Sequence, residues 1–134
     1  MISTIEILTI IFVHWVADFV LQDESWAVNK SKSIVSLLSH TITYSVMWIL
    51  VSLILFATHH FNIQYIINGL LFSGITFIAH TVTDYFTSKI VSKRFENKHF
   101  GSKIPNLGAF TVIGFDQILH YVQLILTYEF ITKL

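Results

Sequence analysis

HWVADFVLQDE, from His14 to Glu24, decides how this chain is read. It starts inside an apolar run and ends in a polar one. It also sets a histidine and an aspartate four residues apart, on one helix face, in a segment otherwise suited to lipid. The whole composition points the same way. Of 134 residues, 54% are hydrophobic and 12% are charged, against about 25% charged in a typical soluble domain. The mean hydropathy is +0.68. A small soluble protein has too little interior to hide that much apolar surface, so the excess must face a bilayer. The chain has no cysteine, which excludes disulfides, thiolate metal sites and a cysteine nucleophile. Eight basic residues balance eight acidic ones, giving no general attraction to nucleic acid.

The apolar runs predict four membrane helices, over about residues 2–21, 33–58, 63–90 and 107–131. Each reaches roughly the 20 residues that cross a bilayer. The expected fold is all-α: one integral membrane domain over residues 1–134, built as a four-helix up-down bundle. The first segment lacks the basic leader and small-residue cleavage site of a signal peptide. The connections 22–32 and 91–106 are polar, and HHFN (59–62) reads as a tight turn. Asn106, after Pro105, is the expected N-cap of the last helix. Seven of the eight basic residues, Lys30 to Lys103, lie in or beside the two polar connections; only Lys133 lies on the other side. That bias puts the polar connections in the cytoplasm and both termini outside it, with Trp26 at headgroup level.

The His14–Asp18 pattern recurs. HTVTD carries His80 and Asp84, DQILH carries Asp116 and His120, and HTITY carries His40 and Tyr44. In an up-down bundle the helix directions bring Asp18, Asp84 and Asp116 to one level. His14, His80 and His120 fall one turn deeper, about 6 Å. His40 falls near the aspartates and Tyr44 near the histidines. The outer halves of the helices look apolar, with little beyond Asn68.

An aspartate near the centre of a lone helix costs about 2.5–3.5 kcal/mol to insert, so three call for compensation. A divalent cation provides it. Neutral imidazole and carboxylate suit Zn²⁺, Mn²⁺ or Fe²⁺. His14, Asp18, His40, His80, Asp84, Asp116 and His120 are the expected ligands of one ion, or of two sharing a carboxylate. The alternative is a metal-free network of hydrogen-bonded pairs holding the helices together. His59, His60 and His99 read as solvated loop residues, and Tyr44 as a hydrogen-bonded core tyrosine. Gln22 is a candidate for orienting Asp18 or substrate. Asn29 and Lys30 are candidates for contacting a phosphate group, and the role of Gln117 is unreadable.

VHWVADF (13–19) resembles AHTVTDY (79–85), suggesting two pseudo-repeated helical hairpins. HWVADFVLQ, NKSKS, LLSHTITY, HTVTD and FDQILH together resemble the small bacterial and phage membrane-protein family known as domain of unknown function 3307, over nearly the whole chain. The sequence is also distantly similar to inner-membrane proteins described as metal-dependent hydrolases, through their intramembrane His and Asp motifs. These resemblances imply a bacterial inner-membrane location and an intramembrane polar site.

The leading expectation is a metal-dependent membrane hydrolase acting from the cytoplasmic face. Asp18, Asp84, Asp116 and His40 would form its catalytic set, with His40 as ligand or general base. The depth of the site suits a phosphate-bearing or lipid-linked substrate. A divalent-metal or proton transporter, a haem protein and a non-enzymatic membrane subunit are the competing classes, and a homo-oligomer stays open.

Overall fold

The computed structural model describes residues 2–57, 63–96 and 107–134. The HHFN turn, His59, His60, Lys98, His99, Lys103, Pro105 and the expected Asn106 cap lie outside the described residues.

The described chain is helical. Ser3 caps α1 (Thr4–Trp15) in a reciprocal box: its hydroxyl accepts from the Glu6 amide at 3.2 Å, and its own amide donates to Glu6 Oε2 at 2.7 Å. The helix then widens into a π turn over Val16–Val20, closed by the Leu21 amide donating to the Val16 carbonyl at 3.0 Å. Asp23 accepts from the Ser25 amide at 2.8 Å and starts a short helix, α2 (Glu24–Asn29). The long helices are α3 (Ile34–Ala57), α4 (Ile63–Glu96) and α5 (Leu107–Ile131).

Three segments are long and apolar enough to cross a membrane: Ile34–Ile54, Ile63–Lys93 and Gly108–Ile131. The first expected span is not among them. Its 12 α-helical and five π-helical residues reach only about 25 Å at the α-helical rise, short of a hydrocarbon core of about 30 Å. Helix α4 runs the other way, six residues past its expected end.

Helix α3 packs along α4, α4 along α5, and α1 along α5; the π turn meets α3 and α2 lies against it. The polarity of the interior is inverted relative to a water-soluble protein. Ile5, Phe12, Phe86 and Phe110 are each at least 60% exposed. His14, His40, His80, His120, Asp18, Asp84 and Asp116 are buried with several serines and threonines. An apolar plug of Ile10, Tyr44, Trp48, Phe72, Leu124 and Tyr128 fills the middle. Helices α3 and α4 come close at Gly69, where an added Cβ would sit 3.1 Å from Ser52 Oγ. Ser52, Ser73 and Thr76 are buried nearby, so the outer halves are less apolar inside than the sequence suggests. Ser52 Oγ lies 3.2 Å from the Gly69 carbonyl, to which it donates, the use of small and hydroxyl residues common where membrane helices touch.

Candidate metal centre

Each helix brings its polar pair to one place. His14 ends α1, and Asp18, one turn on, sits inside the π turn. Helix α3 supplies His40 and Tyr44, α4 supplies His80 and Asp84, and α5 supplies Asp116, Gln117 and His120. His40 Nε2 is 3.1 Å from Asp18 Oδ1 and 3.2 Å from Asp84 Oδ2. It is also 3.1 Å from His80 Nε2. His80 Nε2 in turn lies 3.5 Å from Asp18 Oδ1 and 3.7 Å from Asp84 Oδ2. His40 therefore does lie at the aspartate level. Tyr44 lies with the histidines, its ring stacked on His80 at 3.9 Å and 9°.

Two triads have donor atoms mutually within 4.8 Å: Asp18–His40–His80 and His80–Asp84–His120. Around one tetrahedral ion with bonds of 2.0–2.2 Å, neighbouring donors stand about 3.3–3.6 Å apart. The observed 3.1–3.7 Å separations bracket that range.

Hydrogen bonds set the imidazole tautomers. His120 Nδ1 lies 2.7 Å from the Asp116 carbonyl. A carbonyl only accepts, so Nδ1 carries a proton, and in the neutral ring Nε2 is then the nitrogen with the lone pair. That Nε2 and Asp84 Oδ1 are both buried without a hydrogen-bond partner among the described residues, and they face each other at 3.7 Å. An imidazole anchored to a backbone carbonyl, its other nitrogen free, is the usual posture of a metal-binding histidine. These buried His and Asp groups can hold a metal ion.

His14 is placed differently. Its Nδ1 lies 2.7 Å from the Tyr44 hydroxyl and its Nε2 2.7 Å from Gln117 Oε1. The amide oxygen accepts from Nε2, so Nδ1 accepts from Tyr44 and neither nitrogen is left over. Gln117 Nε2 donates to Asp18 Oδ2 at 3.0 Å and to Asp116 Oδ2 at 3.3 Å. Thr87 donates to Asp116 Oδ1 at 2.7 Å. The structure thus brings His14 and Asp116 beside the triads but into neither, held by a Tyr44–His14–Gln117 chain.

Residues 7–134 match the family model described as a protein of unknown function, DUF3307. The chain belongs to that family. No curated protein and no solved structure matches it.

Lys30, just past α2, reaches into the site and donates to Asp84 Oδ2 at 2.9 Å. Burial works against its charge, but the carboxylates of Asp84 and Asp18 outweigh it and raise the lysine's pKa. Asn29 spends its amide on the Ser25 carbonyl at 2.9 Å and does not face the site. A cavity of about 200 Å³ opens beside the aspartates, with Asp18, Gln22, Lys30, Ser88, Asp116 and Gln117 in its wall. The Gln22 oxygen and the Ser88 hydroxyl are buried there without partners among the described residues.

Sequence reasoning found the histidines and aspartates by their spacing. It missed the Gln117 hub, Thr87, Ser88 and the Lys30–Asp84 pair. Gln117 sits next to Asp116 and off its helical face by simple periodicity. The one available signal was a carboxamide in an apolar helix with no other reason to be there.

Proposed function

We propose that this DUF3307 chain is a metal-dependent membrane hydrolase whose His/Asp centre opens toward the cytoplasm. The observation that carries this reading is the facing pair of Asp84 Oδ1 and His120 Nε2, both buried without a hydrogen-bond partner among the described residues, beside the convergent Asp18, His40 and His80 donors. Asp18, His40 and His80, or His80, Asp84 and His120, would hold the ion. His14 and Asp116, offered as ligands by their spacing, orient and polarise the site instead. His80 belongs to both triads, so we favour one ion over two. Zn²⁺, Mn²⁺ and Fe²⁺ all suit this donor set.

A bound divalent ion supplies Lewis acidity and makes water acidic enough to attack near neutral pH. The chain supplies the rest. Asp116, fixed by Thr87 and Gln117 at the cavity wall, accepts a proton from attacking water. Lys30 lines the same cavity and offers charge to an anionic substrate. The small cavity next to an apolar exterior suits the head of a lipid-linked or phosphate-bearing substrate.

In this reading the first helix completes a four-helix up-down bundle of two pseudo-repeated hairpins, forming one transmembrane domain. Its π-turn end lies at the cytoplasmic interface of a bacterial inner membrane, and both termini lie outside the cytoplasm. The short first helix is accommodated by local thinning of the bilayer. Transport fits less well, because Tyr44, Trp48 and Phe72 are at most 1% exposed and fill the path below the histidines. Haem fits less well too. The His80 and His120 rings lie 4.2 Å apart, and Tyr44 covers the other face of His80, leaving no slot for a flat macrocycle.

Elemental analysis of detergent-purified protein, beside an Asp84→Ala, His120→Ala double variant, tests the centre. About one equivalent of a transition metal, lost in the variant, is expected, with metal-dependent turnover on a panel of lipid phosphates. No metal in either protein after reconstitution with Zn²⁺, Mn²⁺ and Fe²⁺ would overturn the reading and favour a structural polar network. Metal without hydrolysis would favour a non-enzymatic subunit.

A further inference from the structure

The cavity beside the metal centre has an uneven wall. Its lining includes the carboxylates of Asp18 and Asp116, and also Lys30, Ser31, Ser88 and Ser92, from just past α2 and the last turns of α4. An ammonium has three donors, and Asp84 takes one of Lys30's at 2.9 Å. Ser92 donates to Ser31 Oγ at 2.6 Å, which leaves the Ser31 proton to be given elsewhere. Ser88 is 8% exposed, and its hydroxyl has no hydrogen-bond partner among the described residues. A buried hydroxyl left unpaired is costly, and this one lines the same cavity as the lysine.

We propose that Lys30, Ser31 and Ser88 form a subsite for a phosphate-type oxyanion, a phosphomonoester head or inorganic phosphate, next to the metal. The proposal rests on the metal reading. With the centre empty, Asp18 and Asp116 in the same cavity lining repel an anion; a divalent ion offsets that repulsion. Anion binding is therefore conditional on metal, whereas metal binding does not depend on the serines. The cavity, at about 200 Å³, is below the usual 300–1,000 Å³ of a ligand pocket. It admits a head group and leaves any acyl chains outside, along the exposed apolar residues Phe19 and Leu21. Hydroxyls and an ammonium around a phosphate make charge-assisted hydrogen bonds, the stronger kind.

The test is calorimetric titration of inorganic phosphate into the full chain in detergent, metal-loaded and chelated. Wild type, Lys30→Gln, Lys30→Arg and Ser88→Ala are compared, with metal content measured on each sample. Saturable binding is expected only in the metal-loaded protein. Lys30→Gln should weaken it at least tenfold, Ser88→Ala several-fold, and Lys30→Arg should retain most of it. Ser88→Ala removes no charge or bulk and keeps the test valid if Lys30→Gln fails to fold. A second arm separates the sources. Phosphatidic acid in nanodiscs that is retained against both inorganic phosphate and glycerol 3-phosphate marks a lipid head group, and displacement by either at equal concentration marks a soluble phosphate or ester. Metal-loaded protein that binds no phosphate, or binds it equally in all variants, overturns the subsite and leaves the metal centre standing. Protein that takes up no metal overturns both.

Discussion

His120 turns its Nδ1 proton onto the Asp116 carbonyl, 2.7 Å away, and so aims a bare Nε2 at Asp84 Oδ1, 3.7 Å off. One backbone acceptor on α5 thereby fixes which nitrogen faces α4. His14, at the same depth, has both nitrogens spent on Tyr44 and Gln117. Two histidines that look equivalent in sequence therefore differ in what they can do.

That difference is measurable. His120→Ala should abolish metal uptake. His14→Ala should keep the stoichiometry and lower the affinity about 10–100-fold, the usual effect of losing a residue that only orients ligands. Competition with a fluorescent chelator measures both. Equal loss in the two variants would make His14 a ligand.

Gln117 joins three partners, accepting from His14 and donating to Asp18 and Asp116. Gln117→Leu keeps the volume and leaves a buried imidazole N–H without its acceptor and two carboxylates without their donor. Each such orphan costs about 1–3 kcal/mol. A lower melting temperature in detergent is expected, with weaker metal binding. An unchanged melting curve would mean that water replaces the amide.

Gly69 lets α3 and α4 approach at Ser52. Gly69→Ala puts a methyl 3.1 Å from Ser52 Oγ, an overpacking of about 1 kcal/mol at the low end for an inserted methyl, set against the roughly 0.5–1 kcal/mol that alanine gains over glycine inside a helix, so a small net change is expected. Gly69→Val should cost more. Pairing Gly69→Ala with Ser52→Ala should relieve the overpacking, and denaturation midpoints across the four-way cycle give the coupling.

Metal removal should loosen the whole bundle. An ion that binds only the folded protein adds about 2.7 kcal/mol at a hundred times its dissociation constant. Chelation should lower the melting temperature of the wild type. It should leave that of Asp84→Ala, His120→Ala unmoved. A wild-type melt indifferent to chelator would mean that the polar cluster supports itself.

The site was more legible in the sequence than the frame around it. The i,i+4 spacing of His80 with Asp84, and of Asp116 with His120, survives folding because both pairs sit in regular α-helix. The first pair does not follow the same rule, since Asp18 lies within a π turn that no residue pattern in VADFV announces. The shortfall of the first helix as a span has the same origin. Periodicity counts apolar residues, and Val16, Ala17, Phe19, Val20 and Leu21 are apolar whichever way the backbone winds. Lys30 was placed correctly in a polar connection. Its reach to Asp84, 54 positions away, depends on how α2 folds back, and hydropathy carries no record of that. The capping box at Ser3 and Glu6 leaves an S-x-x-E pattern in the sequence, a signal independent of lipid-crossing length.

The centre draws on both ends of the chain, from His14 and Asp18 to Asp116, Gln117 and His120. During synthesis, α1, α3 and α4 leave the ribosome before α5 exists. Until it arrives, Asp18 lacks the Gln117 amide, and Asp84 has only Lys30 and its histidine neighbours. The nascent protein must therefore hold carboxylates at or near lipid until its last helix inserts. A chain cut short before Leu107 would keep that burden, because Asp116, Gln117 and His120 all lie beyond the cut.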